Sequence, residues 1–272
     1  MRSVTTSGSA SGPPPPPPAP SDWEAVKAYV CSGPLFPQLG LSSDDATESR
    51  VAAWESLASQ LRAQLDFHQQ PNAVDDAAEA ARAARVYRYY LPVYLWCTAR
   101  LETHRDAWRR SDSRASPPPP LVIGLSAPQG CGKTTIVTQL QRLLAATGFN
   151  AASISIDDVY LTGAEQEALA AANPGNALLK FRGNAGSHDV ALGVETLRAL
   201  KRINEEGDGC QRGRVAVPRY DKTMRGGRGD RASASTWPTV EAPLDVVLLE
   251  VRRQCPAESP PSCVIAFPVI FS

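Results

Sequence analysis

No two cysteines in this sequence stand at C-x-x-C spacing. The six present are Cys31, Cys97, Cys131, Cys210, Cys255 and Cys263, and their scatter indicates neither a zinc site nor a disulfide framework. Reduced thiols in an intracellular compartment fit best. Charge of one sign is also missing. The 28 Lys and Arg balance 28 Asp and Glu, so no global field argues for nucleic acid or an anionic membrane as a partner. No apolar run approaches the ~20 residues that a membrane-spanning helix needs, and no internal repeat is evident. The first 21 residues contain no acid and a single Arg, Arg2, and they end in the run Pro13 to Pro18 and three further residues. Two readings of them stand: a disordered Pro/Ser-rich tail, or the end of an organelle transit peptide.

What is present suffices for a folded protein. Apolar residues make up 43% of 272, enough to bury the core of one large domain or two small ones. Residues 22–110 read as a helical N-terminal layer. Val51, Trp54, Leu57, Leu61 and Leu65 recur at three- and four-residue steps, and Asp75 to Ala84 is rich in alanine. The aromatic stretch from Val86 to Trp96 follows, with Pro92 expected to kink or break its helix. Its aromatics read as core. Residues 111–120 form a Pro-rich linker.

Beyond the linker, short apolar strands alternate with helices. Strands are expected at Leu121 to Leu125, Ala152 to Ile156 and Leu244 to Leu249. Helices are expected at Lys133 to Ala146, Ala164 to Ala172 and Ala191 to Asn204. The pattern predicts an α/β fold, a doubly wound parallel sheet of the P-loop type, over residues 121–250.

The first strand runs into Ala127-Pro128-Gln129-Gly130-Cys131-Gly132-Lys133-Thr134-Thr135, a P-loop pattern with Ala at the first Gly position. In such a loop the backbone N–H groups and the helix N-terminus cradle phosphates. Lys133 reaches the β- and γ-phosphates, and the Thr134 hydroxyl ligates Mg²⁺. ATP and Mg²⁺ are the cofactors this pattern predicts; a chance Gly-rich turn is the plainer alternative. Asp157 ends the second strand, where ligands of open α/β sheets sit. It can activate an attacking hydroxyl or hold the metal; the alternative is a helix cap, which suits Asp158 better. Glu250 ends the third strand, as a metal-holding acid or an ordinary strand-end charge.

Two further segments remain open. Arg182 to Asp189 is a loop in which His188 and Asp189 face a helix start, so Asp189 either contacts substrate or caps the helix. Arg212 to Arg231 is strongly basic and includes Arg219, Tyr220 and Lys222. It reads as a loop for phosphate or a substrate carboxylate, as a solvated loop, or, last, as a nucleic-acid contact.

Several segments resemble plant-type D-glycerate 3-kinase, a P-loop kinase family related to uridine kinase, phosphoribulokinase and pantothenate kinase. They are Cys31-Ser-Gly-Pro, Tyr89-Tyr-Leu-Pro-Val, Ser126 to Thr135, Ile156-Asp-Asp-Val-Tyr-Leu-Thr162, Asn173 to Leu178, Arg182 to Asp189, Val217 to Lys222, Gly227 to Arg231 and Ser235-Thr-Trp-Pro238. The resemblance implies ATP-dependent phosphorylation of D-glycerate to 3-phosphoglycerate, a photorespiratory step of the chloroplast stroma, with no nucleic acid or membrane as partner. It implies Lys133, Asp157 and Glu250 as catalytic residues, with Thr134, Asp157 and Glu250 at the metal. Arg182, His188, Asp189, Arg219 and Tyr220 are implied at the acceptor. Val159 stands where the family usually has Phe. The resemblance covers about residues 22–250 and stops at Glu250. Residues 251–272 therefore read as a non-family tail, an altered frame or translated intron, on an incomplete core. That makes an inactive nucleotide-binding product the second reading, and a kinase of a nucleoside or pantothenate the third.

Overall fold

A computed structural model of the chain describes residues 15–44, 46–66, 76–111, 117–127, 132–205 and 213–252. The expectations that fall on residues 1–14 and 253–272 lie outside the described residues. The chain divides into two compact units, Met1–Trp96 and Cys97–Ser272.

The first unit is helical. Helix α1 (Trp23–Cys31) starts where Asp22 accepts a hydrogen bond from the Ala25 amide at 3.0 Å. A turn through Gly33 leads to the short α2 (Leu35–Gln38). A Cβ on Gly33 would lie 2.9 Å from Cβ of Arg88, so the close passage of these two segments requires glycine. Helix α3 (Glu48–Asp66) buries Val51, Trp54, Ala58 and Leu61, with Ala58 in place of the expected Leu57; the side chain of Leu65 lies outside the described residues. Glu55 on this helix accepts the Tyr87 hydroxyl at 2.7 and 2.8 Å. Burial and then that neighbouring carboxylate push the Tyr87 hydroxyl well above its ordinary value.

Helix α4 (Asp76–Arg85) passes through one widened π-type turn, Val86–Tyr90, into α5 (Leu91–Arg110), which extends into the second unit's residues. The expected break at Pro92 does not occur. Pro92 has no N–H for the carbonyl four residues back. The turn just before it already bonds across five, with the Leu91 amide on the Val86 carbonyl, and absorbs the mismatch.

The second unit is an α/β layer structure. Strand β1 (Leu121–Ala127) leads to α6 (Lys133–Ala146), β2 (Ala151–Ser155), α7 (Gly163–Ala172) and α8 (Val190–Lys201). Where the sequence reading saw only a basic loop, there are three short strands, β3 (Arg214–Ala216), β4 (Tyr220–Asp221) and β5 (Asp230–Arg231). Each is too short for alternation to be read from sequence. They make antiparallel pairs: β4 with β5, and β3 with β6 (Thr239–Glu241). Strand β7 (Val246–Arg252) runs two residues past Glu250 and lies between β1 and β2, parallel to both. On one face Val122, Ile154, Val247 and Leu249 pack with Leu200 and Ile203 of the α8 segment. The alternate residues Ile123, Val246 and Leu248 are fully buried too, and α6 packs on all three strands, so both faces are covered.

Residues 117–120 of the expected linker are docked. The Pro118 carbonyl accepts from Asn204 at 2.8 Å, and the Pro119 carbonyl from His104 at 2.8 Å. Among the described residues no helix is long and apolar enough to cross a membrane, and Cys31 and Cys97 form no disulfide.

Candidate functional site

Register places the first part of the site. Leu125, Glu250 and Ser155 lie side by side at the carboxyl ends of the three parallel strands. That is the edge at which open α/β sheets hold ligands. Residues 128–131, with the expected contributions of Pro128, Gln129, Gly130 and Cys131, lie outside the described residues, as does the Ala127 side chain. The end of the loop is described. Gly132 precedes α6 with φ 83° and ψ 24°, a left-handed conformation that favours glycine. Among the described residues no side chain caps α6 there. The positive end of its dipole suits an anion.

Lys133 opens α6 and Thr134 and Thr135 follow on its exposed first turn. The Thr134 hydroxyl lies 3.3 Å from both carboxylate oxygens of Glu250 and donates to them. Burial pushes the Glu250 carboxyl above its ordinary range. The Thr134 hydrogen bond and the Lys133 charge pull it back, while Asp157 adds to the rise. Lys133, Thr134, Asp157 and Glu250 thus share one electrostatic neighbourhood. A half-buried carboxylate held by one hydroxyl favours an additional cation, and oxygen donors suit Mg²⁺. Among the described residues no three acids, histidines or cysteines cluster. Thr134 and Glu250 therefore fit a metal whose remaining ligands come from phosphates and water, as Mg²⁺ usually arranges.

The second part grows from the turn after β2. Ser155 caps it by accepting from the Asp157 amide at 3.2 Å, and Asp158 reaches back to the Ser155 amide at 3.0 Å. Asp158 is thus the capping acid, leaving Asp157 to point elsewhere. Burial raises the Asp158 carboxyl, and the Ser155 amide and Arg219 lower it. The Asp157 carboxylate accepts from the Tyr160 hydroxyl at 2.6 Å and from Lys222 at 2.9 Å. Two donors from different segments fix its direction.

Asp157, Tyr160 and Lys222 line a cavity of about 550 Å³, together with Gln166, Glu167, Lys180, Arg182, Tyr220, Arg225 and Arg228. Five of these side chains are cationic against two acids, so the cavity suits an anionic ligand. Arg182 stacks over the Tyr220 ring, 5.7 Å from its centre, and donates to the Gly227 carbonyl at 3.0 Å. Tyr220 meets Tyr160 edge to face at 5.2 Å. Burial raises the Tyr220 hydroxyl, and Arg182 acts against that rise.

Of the five residues expected at an acceptor, Arg182 and Tyr220 are on this wall and three are not. Arg219 pairs with Asp158 at 3.2 Å. Asp189 caps α8 through the Leu192 amide at 2.9 Å and pairs with Arg231 at 3.0 Å. His188 lies against the Tyr160 ring at 4.7 Å. Sequence reasoning did not single out Tyr160, Glu167 or Lys180. Tyr160 carried a signal, standing three residues after Asp157 on the same turn; the others carried none.

No protein-family model matches the chain. It is 44% identical over 222 residues to the chloroplastic D-glycerate 3-kinase of Arabidopsis thaliana, covering 82% of this chain and 45% of that protein. A solved structure of D-glycerate 3-kinase from Cryptococcus neoformans is 34% identical, with a TM-score of 0.50 over 58% of this chain and 52% of that one. Over most of its length the chain is similar in sequence to a glycerate kinase. An uncharacterized kinase of Schizosaccharomyces pombe, mug58, is 41% identical over 118 residues, covering 43% of this chain and 40% of that protein. The chain therefore spans about half the length of the curated relatives it matches. The α/β fold with its parallel sheet is the one it has in common with the solved glycerate kinase.

Proposed function

We propose that this chain carries the part of a glycerate kinase that binds the ATP phosphates and the acceptor, transferring the γ-phosphoryl group to D-glycerate to give 3-phosphoglycerate. The observation that carries the reading is the position of Asp157. It stands on the wall of a basic cavity and within electrostatic reach of Glu250, which itself meets Thr134 on the first turn of α6.

The chemistry follows from that position. An acceptor hydroxyl beside Asp157 gives its proton to the carboxylate as its oxygen attacks the γ-phosphorus, and ADP leaves with the bridging oxygen. Tyr160 and Lys222 hold the carboxylate in line. Lys133 sits at the N-terminus of α6, where its charge offsets that of the phosphates. Magnesium, when bound, supplies further charge neutralisation on the phosphate oxygens, and Thr134 and Glu250 are the residues to hold it. The cationic cavity favours a carboxylate-bearing acceptor over a neutral nucleoside.

An acceptor panel tests this: ADP release with D-glycerate, glycerol, uridine and pantothenate, with the phosphorylated carbon identified in the product. D-glycerate phosphorylated at its terminal hydroxyl is the expected result. Preference for uridine or pantothenate rejects the reading. The chloroplast stroma belongs to the same proposal, supported by the acid-free residues 1–21 and by the chloroplastic name of the plant relative.

A further inference from the structure

We propose that Glu167 is an internal competitor for the acceptor's carboxylate, changing places with it at Arg225 and Arg228. This rests on the kinase reading for the identity of the acceptor, but not for the exchange itself.

Arg225 donates through Nη2 to one oxygen of Glu167, and Arg228 Nη1 lies 3.4 Å from the same oxygen. All three side chains line the cavity that Asp157 also lines. Two guanidinium groups converging on one carboxylate oxygen are the arrangement with which proteins recognise a bound carboxylate. Here the carboxylate belongs to the protein. A second one cannot enter between the same arginines without like-charge repulsion unless Glu167 swings away.

The surroundings allow that swing. Glu167 leaves α7 one turn after its start, where Thr162 and Glu165 form a capping box that fixes the helix itself. Its side chain and that of Arg228 are about half exposed, at 48% and 59%. Exposed ion pairs are weak, so exchange is cheap. Arg225 is held independently of Glu167. Arg225 has the left-handed φ of 54°, rare for a residue with a Cβ, and its other nitrogen lies 3.5 Å from Asp230. Asp230 is itself fixed by the amides of Gly163 and Arg231, both at 2.8 Å. Arg182 pins the loop between Arg225 and Arg228 through the Gly227 carbonyl. Asp230 thus positions Arg225, and Glu167 competes for it. A neutral acceptor has no group with which to displace Glu167, so the same residue sharpens selection for a carboxylate.

Calorimetric titration of D-glycerate and of glycerol into the protein, without ATP, tests the exchange. Glu167→Gln keeps the size of the side chain and removes its charge. It is expected to tighten D-glycerate binding about two- to five-fold, the scale of an exposed ion pair. Glu167→Ala should tighten it similarly, and Arg228→Gln should weaken it. Glycerol binding should be unchanged by all three. Weaker or unchanged D-glycerate binding in both Glu167 variants overturns the proposal, because it makes Glu167 a support for the arginines. Absence of D-glycerate binding to wild type and variants alike also overturns it. Tightened binding without phosphoryl transfer to D-glycerate would instead leave the exchange standing and sink the kinase reading.

Discussion

The two sides of the site are built from different materials. The proposed phosphate side is a backbone device: a strand end, a left-handed Gly132 and the first turn of α6. Lys133 and Thr134 are added to it at adjacent positions. The proposed acceptor side is a mesh of side chains drawn from distant segments. Lys222 meets Asp157 across 65 residues, Arg225 meets Glu167 across 58, and Arg182 meets the Gly227 carbonyl across 45. A backbone device must be written at fixed spacing. A side-chain mesh can be written anywhere that folding brings together. The first therefore leaves a motif, and the second leaves only scattered charged residues.

The largest test of this contrast is Asp157→Asn, at the point where the two sides meet. Its kcat should fall ~10²–10⁴-fold, the usual contribution of a positioned base. ATP affinity should barely change. Collapse of ATP affinity with kcat intact would make Asp157 part of the phosphate side. Next comes Lys133→Ala, which should reduce kcat/KM about 10²–10³-fold through loss of charge stabilisation. Its effect should be the same with every acceptor tried. A loss confined to one acceptor would show that Lys133 serves the mesh rather than the cradle.

The smallest expected effect concerns Glu250 and appears in stability. Its folded-state carboxyl is raised, chiefly by burial. Such a group favours the fold when protonated, and that contribution is lost as pH rises through the raised value. At neutral pH the charge is thus a burden on the ligand-free protein. Glu250→Gln should raise the midpoint of thermal unfolding near pH 7, with the advantage vanishing below the ordinary carboxylate range, while phosphoryl transfer falls. A lower midpoint at pH 7 would mean that the hydrogen bond from Thr134 outweighs the burial cost.

The sequence made the site's first half legible for a physical reason. Apolar strands Leu121 to Leu125 and Val246 to Leu249 advertise themselves, and an acid just past such a strand stands at the ligand edge. The division of labour between Asp157 and Asp158 was readable because capping is local: a cap acts within three residues. Glu167 was invisible because its partners lie in another segment, and a Glu in the first turns of a helix is unremarkable in itself. The strands β4 and β5, two residues each, fell below any periodicity. At Pro92 the helix continues rather than breaking, because the turn just before it is widened.

Strand β7 is last in sequence among the sheet's described strands and central in space. The two outer strands have nothing to pair with on their inner edges until it arrives. At a synthesis rate of ~5–20 residues per second, the stretch between β2 and β7 takes roughly 5–20 s to appear. Until then β1 and β2 lack the parallel partner between them, and unpaired strand edges invite pairing with the wrong chain. The same strand that completes the sheet carries Glu250 to Thr134, so pairing of β7 and assembly of the proposed phosphate site are one and the same placement.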